Sequence, residues 1–455
     1  MDRFTDTGNA EALIEQFGSN LRYCPRAKEW YVWTGKYWEE DINKSIIQMA
    51  KGIAKGYMKE AQKYNSADSR NRDLVKHAKS SESLRSIQAM VLLAQSSPEV
   101  LIPLESFDYN PYLLNVANGT IGLDEGVLYP FDRNHNITKI APVVFKLGAQ
   151  SKKWDKFLKY VVPDADTRDF LQRAVGYSLT GHTTEDVMFI LYGRGQNGKT
   201  TFVSTLLNML GEYAAQASST ILMQHGDAGP SNALYVLIGK RFVAAAETGE
   251  TRQLDETLVK QMTGMDRISV NPKYKSQIEF TPSWKLWLST NHEPTIKGND
   301  AAIWRRIRKI PFNVVIPESK RDPNLKLTLF SDMGERSGIL NWALEGVRRW
   351  RESGLKPSKQ VYEATNAYKA DQDIIGQFLT ECCQFHSQLV VPKAALYKAY
   401  RVYCHELDEK PKTKIGFGHR LRDSGIKEDR DRNNRYWGGI GIDERVNLFP
   451  VLFKE

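Results

Sequence analysis

The chain alternates between two hydrophobic periods, and each switch marks an element. Apolar residues recur every three to four positions over 9–17, the spacing of a helix with one buried face. The segment 30–38 (W-Y-V-W-T-G-K-Y-W) alternates about a T-G-K turn and predicts a β-hairpin. Helical spacing returns over 42–64 and 68–96, both rich in Lys and Arg, and 113–120 reads as a strand entering an Asn-Gly turn. The unbroken apolar run 187–192 (V-M-F-I-L-Y), followed by helical spacing over 200–210, fits a buried parallel strand feeding a helix. Strands are predicted again over 242–246 and 285–290, with a helix over 254–264 closed by Gly264. Short strands over 268–270 and 277–280 flank a basic tip. Near the end, Leu396, Tyr397, Tyr400, Tyr403 and Leu407 share one helical face as core, before a helix over 417–424 and a charged hairpin through 427–437.

This pattern predicts an α/β fold in three blocks. Residues 1–150 form an α+β unit, 151–385 an α/β domain with a mostly parallel sheet, and 386–455 a winged helix. Length allows about three domains at about 150 residues each. In the first block, aromatics interleave with Arg22, Arg26, Lys28 and Lys36. Such a cluster can stack nucleic-acid bases, but more often it is the core of a small β unit.

Composition adds limits. Hydrophobic residues are 41% and charged residues 26%, the balance of a globular protein. A net charge of +9 suits a polyanionic partner without demanding one. The four cysteines follow no disulfide or zinc spacing, no 18-residue apolar run exists, and the first residues lack a signal-peptide core. A cytoplasmic protein without a membrane segment is expected.

The specific chemistry begins at residue 193. Gly193, Arg194, Gly195, Gln196, Asn197, Gly198, Lys199 and Thr200 match G-x-x-x-x-G-K-[ST] between a strand and a helix. Glycines let successive N–H groups converge on phosphate oxygens at the helix start. Lys199 would reach the β/γ-phosphates, and Thr200 would hold Mg²⁺. An acid at a neighbouring strand end is then needed for metal and water, and Glu247 stands there. Lys273, Tyr274 and Lys275 crown the basic tip, where lysines would neutralise phosphates and tyrosine stack on a base. Asn291 ends the 285–290 strand, placed to orient an attacking water. Residues 302–312 (A-I-W-R-R-I-R-K-I-P-F) pack four cations into five positions, among them Arg305 and Arg306.

In this order the motifs resemble the superfamily 3 helicases, most closely the phage, plasmid and poxvirus primase-helicase branch. The likeness extends to that branch's amino-terminal helicase-associated domain (9–38 and 114–145) and its carboxy-terminal winged helix (391–442). It implies an AAA+-type P-loop motor, typically a hexameric ring, that hydrolyses ATP with Mg²⁺ and moves along single-stranded DNA, typically 3′ to 5′. By resemblance the phosphate loop extends through Thr201 and the strand-end acid is Glu247. The DNA hairpin is the 273–275 tip, preceded by Lys260, Gly264 and Asp266. The sensor is Asn291, and the arginine finger is one of Arg305 and Arg306, with Arg306 preferred because an alternating strand begins right after it.

The first 150 residues hold no cluster of metal-binding carboxylates for nucleotide polymerisation, and Asp164 and Asp166 read as helix caps. The expectation is therefore a helicase of a phage or other mobile element in a bacterial host, acting on single-stranded and forked DNA beside a separate primase or polymerase. Two rivals are an initiator ATPase that binds or melts an origin and a P-loop kinase of small metabolites. The kinase reading leaves the hairpin, the arginines and the winged helix unexplained.

Overall fold

The computed structural model describes residues 4–64, 68–223, 231–246, 253–271, 277–296, 301–430 and 435–443. Its centre is a five-stranded, wholly parallel sheet made by β1 (Met188–Tyr192), β2 (Ala214–Ser218), β3 (Phe242–Ala246), β4 (Lys285–Thr290) and β5 (Ile307–Pro311). The strand order is β5-β1-β4-β3-β2. Apolar side chains fill both faces, with Phe189, Phe242 and Trp287 stacking on one and Met188, Ile190 and Leu288 packing on the other. Burial on both sides explains why these strands read as apolar runs rather than as alternations. The chain leaves β1 toward β2 at one edge and returns past it to β5 at the other. The carboxyl ends of β1 and β4 therefore flank a topological switch point, where open α/β sheets bind ligands.

Five helices matter below: α1 (Ser45–Ala61), α2 (Lys152–Val161), α3 (Ala165–Leu179), α4 (Lys199–Leu210) and α5 (Met333–Ser353). In α2, Ser151 accepts the Trp154 N–H as N-cap, and Trp154, Phe157, Leu158 and Val161 recur at helical spacing to face the core. Asp164 caps α3 by accepting the Thr167 N–H at 2.8 Å, and the Thr167 side chain together with that N–H holds its carboxyl below the usual range. Acceptance of that backbone proton is the capping role the sequence assigned to it.

The amino-terminal elements follow the pattern closely. Glu29–Trp33 pairs with Trp38–Glu40 about the Thr34 turn, and Leu113–Val116 pairs with Gly119–Gly122. The aromatic cluster is core: Trp30 and Trp38 are buried, and the Arg22 guanidinium covers Trp38 at 4.6 Å. The 68–96 segment is two helices, Ser69–Ser81 and Leu84–Ala94, because Ser83 restarts the chain as an N-cap. Leu113, Leu114, Val116, Ile121, Leu123, Ile137, Ala141 and Val143 bury their side chains with those of α2, α3, α4 and α5 in one cluster. Arg241 reinforces that seam by donating to Leu113 O and Leu179 O, each at 2.7 Å.

At the other end, helices Lys393–Glu406 and Lys414–Asp423 precede a hairpin of Lys427–Arg430 with Arg435–Ile442. A third strand, Cys383–Pro392, pairs with the outer arm of that hairpin. Sequence spacing missed it: most of its side chains face solvent and its register breaks between Phe385 and Val390, so no alternation survives. Leu396, Tyr400 and Tyr403 are buried as core, whereas Leu407 is exposed.

Candidate functional site

The turn between β1 and α4 is shaped for close approach. Gly195 (φ 103°), Gln196 (φ 51°) and Gly198 (φ 85°) lie in the left-handed region. A Cβ on Gly193 would stand 2.1 Å from Asn197 Nδ2 and 2.3 Å from Phe312 O. Asn197 is buried and donates to Phe312 O at 2.9 Å, tying the turn to the chain leaving β5. Ile316 N donates to Gln196 O at 2.8 Å, and Arg321 donates to the Gln196 side chain, so residues 316–321 form an outer wall.

Lys199 opens α4 and is 5% exposed. Its ammonium donates to Gly193 O at 2.5 Å, Asn291 Oδ1 at 2.9 Å and Asn197 Oδ1 at 3.2 Å. These partners are neutral oxygens, so burial is not offset by a carboxylate, and the Lys199 ammonium is pushed down to about 8. An anion beside it would restore the charge. The Asn291 contact joins two predicted residues 92 positions apart at the β1/β4 switch point.

Around this contact opens a cavity of about 1400 Å³ lined by Gly195 to Thr201, Ala246, Ser289 to Asn291, α2 and residues 316–326. Lys199 is joined at its walls by Lys153, Lys156, Lys159, Lys320, Arg321 and Lys326, against one carboxylate among the described residues, Asp322. Phe157, Tyr160, Ile316 and Leu325 supply an apolar side. A concave site with backbone N–H groups at a helix start, a surplus of cations and an apolar wall suits a polyphosphate carrying a ring system. Thr200 is exposed into it, placed to offer its hydroxyl to a metal. The sequence reading missed the α2 and 316–326 cations, although the i, i+3 spacing of Lys153, Lys156 and Lys159 carries the signal.

Not every predicted residue arrives there. Arg194 is exposed and does not line the cavity, and Gly193 contributes only its carbonyl. Ala246 lines the cavity, but Glu247 lies outside the described residues, as do Lys273, Tyr274 and Lys275. The strands before and after that tip pair antiparallel, Val270 opposite Ile278. Lys260, Gly264 and Asp266 lie at the end of the preceding helix, Glu256–Thr263, and just beyond it.

The arginine pair divides against the expected preference. Arg306 is 8% exposed; it donates to Thr263 Oγ1 at 3.1 Å and Ala302 O at 2.9 Å, and pairs with Asp186 at 3.5 Å. All three contacts hold it inside its own chain, at the start of a strand whose Ile307, Lys309 and Ile310 are buried. Arg305 is the exposed member. Arg308 turns back to the carbonyls of Arg305 and Ile307, and Lys309 pairs with Glu293. Both arginines sit at the amino end of β5, one strand length (about 17 Å) from the phosphate turn at the carboxyl end of β1, so neither reaches the cavity of its own chain.

Comparison with known proteins adds three family matches. Residues 10–163 match the D5 N terminal like model, 191–306 a family of unknown function, and 370–436 the poxvirus D5 protein-like model. "Putative helicase L207/L206" of Acanthamoeba polyphaga mimivirus is 28% identical over 301 residues, 61% of this chain and 31% of its own. "Putative helicase 022R" of Frog virus 3 is 28% identical over 263 residues, covering 54% and 27%. "Putative primase C962R" of African swine fever virus is 22% identical over 308 residues, covering 61% and 31%. The chain thus spans about a third or less of these relatives. The apo structure of the NrS-1 C terminal region (305–718) superposes with a TM-score of 0.51 at 12% identity, covering 95% of this chain and 98% of that one, a shared fold. The relatives come from large DNA viruses, so the expected bacterial host finds no support in them. Among the described residues no helix is long and apolar enough to cross a membrane.

Proposed function

Because the chain carries D5 N-terminal-like and poxvirus D5 protein-like domains and is similar to large-DNA-virus proteins named "Putative helicase" and "Putative primase", we propose that it is an ATP-driven DNA helicase acting in replication. The observation that carries this reading is the Lys199–Asn291 contact inside a cation-lined cavity at the switch point of the parallel sheet. ATP would lie with its phosphates on the 193–200 turn, its charge met by Lys199 and the helix start, and its base toward Phe157 and Tyr160. Thr200 and Glu247 would hold Mg²⁺, which neutralises charge on the β- and γ-phosphates. Asn291, already bonded to Lys199, would position the attacking water with Glu247.

Hydrolysis then needs a cation on the far side of the γ-phosphate. Arg305 is exposed at the opposite end of the sheet and is suited to serve a neighbouring protomer, as expected of a ring. The Lys273, Tyr274 and Lys275 tip would follow the phosphates of one DNA strand, moving 3′ to 5′, and the carboxy-terminal helix-helix-hairpin unit would act as a winged helix. Strand displacement on forked duplexes with either tail polarity tests the proposal. Separation is expected with ATP and a 3′ tail and absent with a non-hydrolysable analogue. Nucleotide-independent binding to one duplex sequence, without displacement on any fork, would favour an origin-marking initiator instead.

A further inference from the structure

Helix α1 has a solvent face that does not serve the helix itself, and we propose that this face docks the sugar-phosphate backbone of duplex DNA. The inner side of α1 buries Ile46, Ala50, Ile53 and Ala54 against Leu13 and Met90. The outer side exposes Lys51, Gly52, Lys55, Gly56 and Lys59, which fall on one face at 3.6 residues per turn. Two features of that face are unfavourable in isolation. Lysines four residues apart repel one another on a helix, and among the described residues none of these three makes an ion pair. Lys63, one turn further, is by contrast paired with Glu60 at 2.6 Å.

The glycines are the second oddity. Glycine is the weakest helix former after proline. Yet a Cβ on Gly52 or Gly56 would meet nothing within 4 Å, and neither has a positive φ. Among the described residues nothing requires glycine there. Both features make sense if a rigid polyanion lies along the face: lysines neutralise its charges, and the missing side chains let it approach the helix backbone.

The spacing fits one strand of a duplex. Lys51 to Lys59 spans about 12 Å at ~1.5 Å per residue, and phosphates of one strand recur every ~3.4 Å along the axis, so the face faces three to four of them. Single-strand binding calls for aromatic platforms. The exposed face of α1 offers none, since Tyr57 is turned edge-on to His77 at 4.8 Å. The adjacent helix Ser69–Ser81 packs against α1 and adds exposed Arg72, Lys76 and Lys79 to the same basic unit. This surface is independent of the nucleotide cavity, so it stands or falls separately from the ATPase reading.

The test is fluorescence anisotropy on the full chain without nucleotide, using a random-sequence duplex and a single strand across a salt series. Lys51→Gln/Lys55→Gln/Lys59→Gln should weaken duplex binding about 10-fold or more and flatten the log–log salt slope by about 2 to 3, leaving single-strand affinity and ATP hydrolysis unchanged. Gly52→Ala/Gly56→Ala should raise the melting temperature, because alanine favours the helix, and still weaken duplex binding. An unchanged duplex slope in the lysine variant, or equal losses on duplex and single strand, overturns the proposal. So does a glycine variant that is more stable and binds duplex as well as the parent.

Discussion

Both ends of the central sheet bury cations, and the two ends use them differently. At the amino ends, Lys285 donates to the carbonyls of Thr180, His182 and Ser283 and lies 5.0 Å over Tyr177. Arg241 caps Leu113 and Leu179, and Arg306 is held by Thr263, Ala302 and Asp186. These groups close the protein's own carbonyls and helix ends. At the carboxyl ends, Lys199 is also buried but borders a cavity lined by further cations. Burial pushes Lys285 down as it does Lys199, yet the contacts of Lys285 are to its own carbonyls and Tyr177. Depth of burial therefore does not separate these cations; what each of them faces does.

The contrast can be broken most decisively at the arginine pair. Arg305→Ala should leave thermal stability unchanged and lower steady-state ATP hydrolysis by about 10³-fold. Arg306→Ala should act through the fold, costing about 2–4 kcal/mol, which a denaturant titration measures. If Arg306→Ala kept its stability and lost only hydrolysis, the assignment would reverse.

A second crossing sharpens it. Lys199→Ala should reduce hydrolysis on the order of 10²- to 10³-fold with no loss of stability, because the oxygens it leaves border the open cavity, where water replaces the lost donor. Lys285→Met should do the opposite, costing about 1–3 kcal/mol through carbonyls left without a donor, with hydrolysis per folded molecule kept. Asn291→Asp gives a smaller effect: a carboxylate beside Lys199 would hold the ammonium to itself and weaken nucleotide binding about tenfold, read by calorimetry.

The smallest effect is a pH dependence. Lys199 is charged below about 8 in the free protein, and a bound phosphate raises that value. Above pH 8 binding must therefore take up a proton, so affinity should fall by up to about tenfold per pH unit and be flat below. Calorimetry at pH 8.5 in two buffers of different ionisation enthalpy would show that uptake, and equal heats would contradict it.

Much of this geometry was legible in the sequence where local chemistry decides conformation. The 285–290 strand, the turn at Thr34 and the start of α4 follow from apolar runs and glycines that leave few alternatives. The roles within W-R-R-I-R-K were not, because side chains one position apart can point inward or outward and only the packed neighbours decide. Thr263 and Asp186, which hold Arg306, lie 43 and 120 positions away. The cavity's outer wall was hidden for the same reason: Arg321 meets Gln196 across 125 residues. The strand Ala214–Ser218 was not legible either, since its alanine-rich sequence (A-A-Q-A-S) has little strand preference and becomes a strand by pairing with β3.

On this reading ATP held at one protomer's carboxyl-end cavity is split with help from the amino-end arginine of another. Mixing Lys199→Ala chains, which keep Arg305, with Arg305→Ala chains, which keep the cavity, tests it in one assay. ATP hydrolysis in the mixture should exceed the sum of the two separate preparations. A mixture no more active than that sum, with each variant assembling as the parent does, would contradict it.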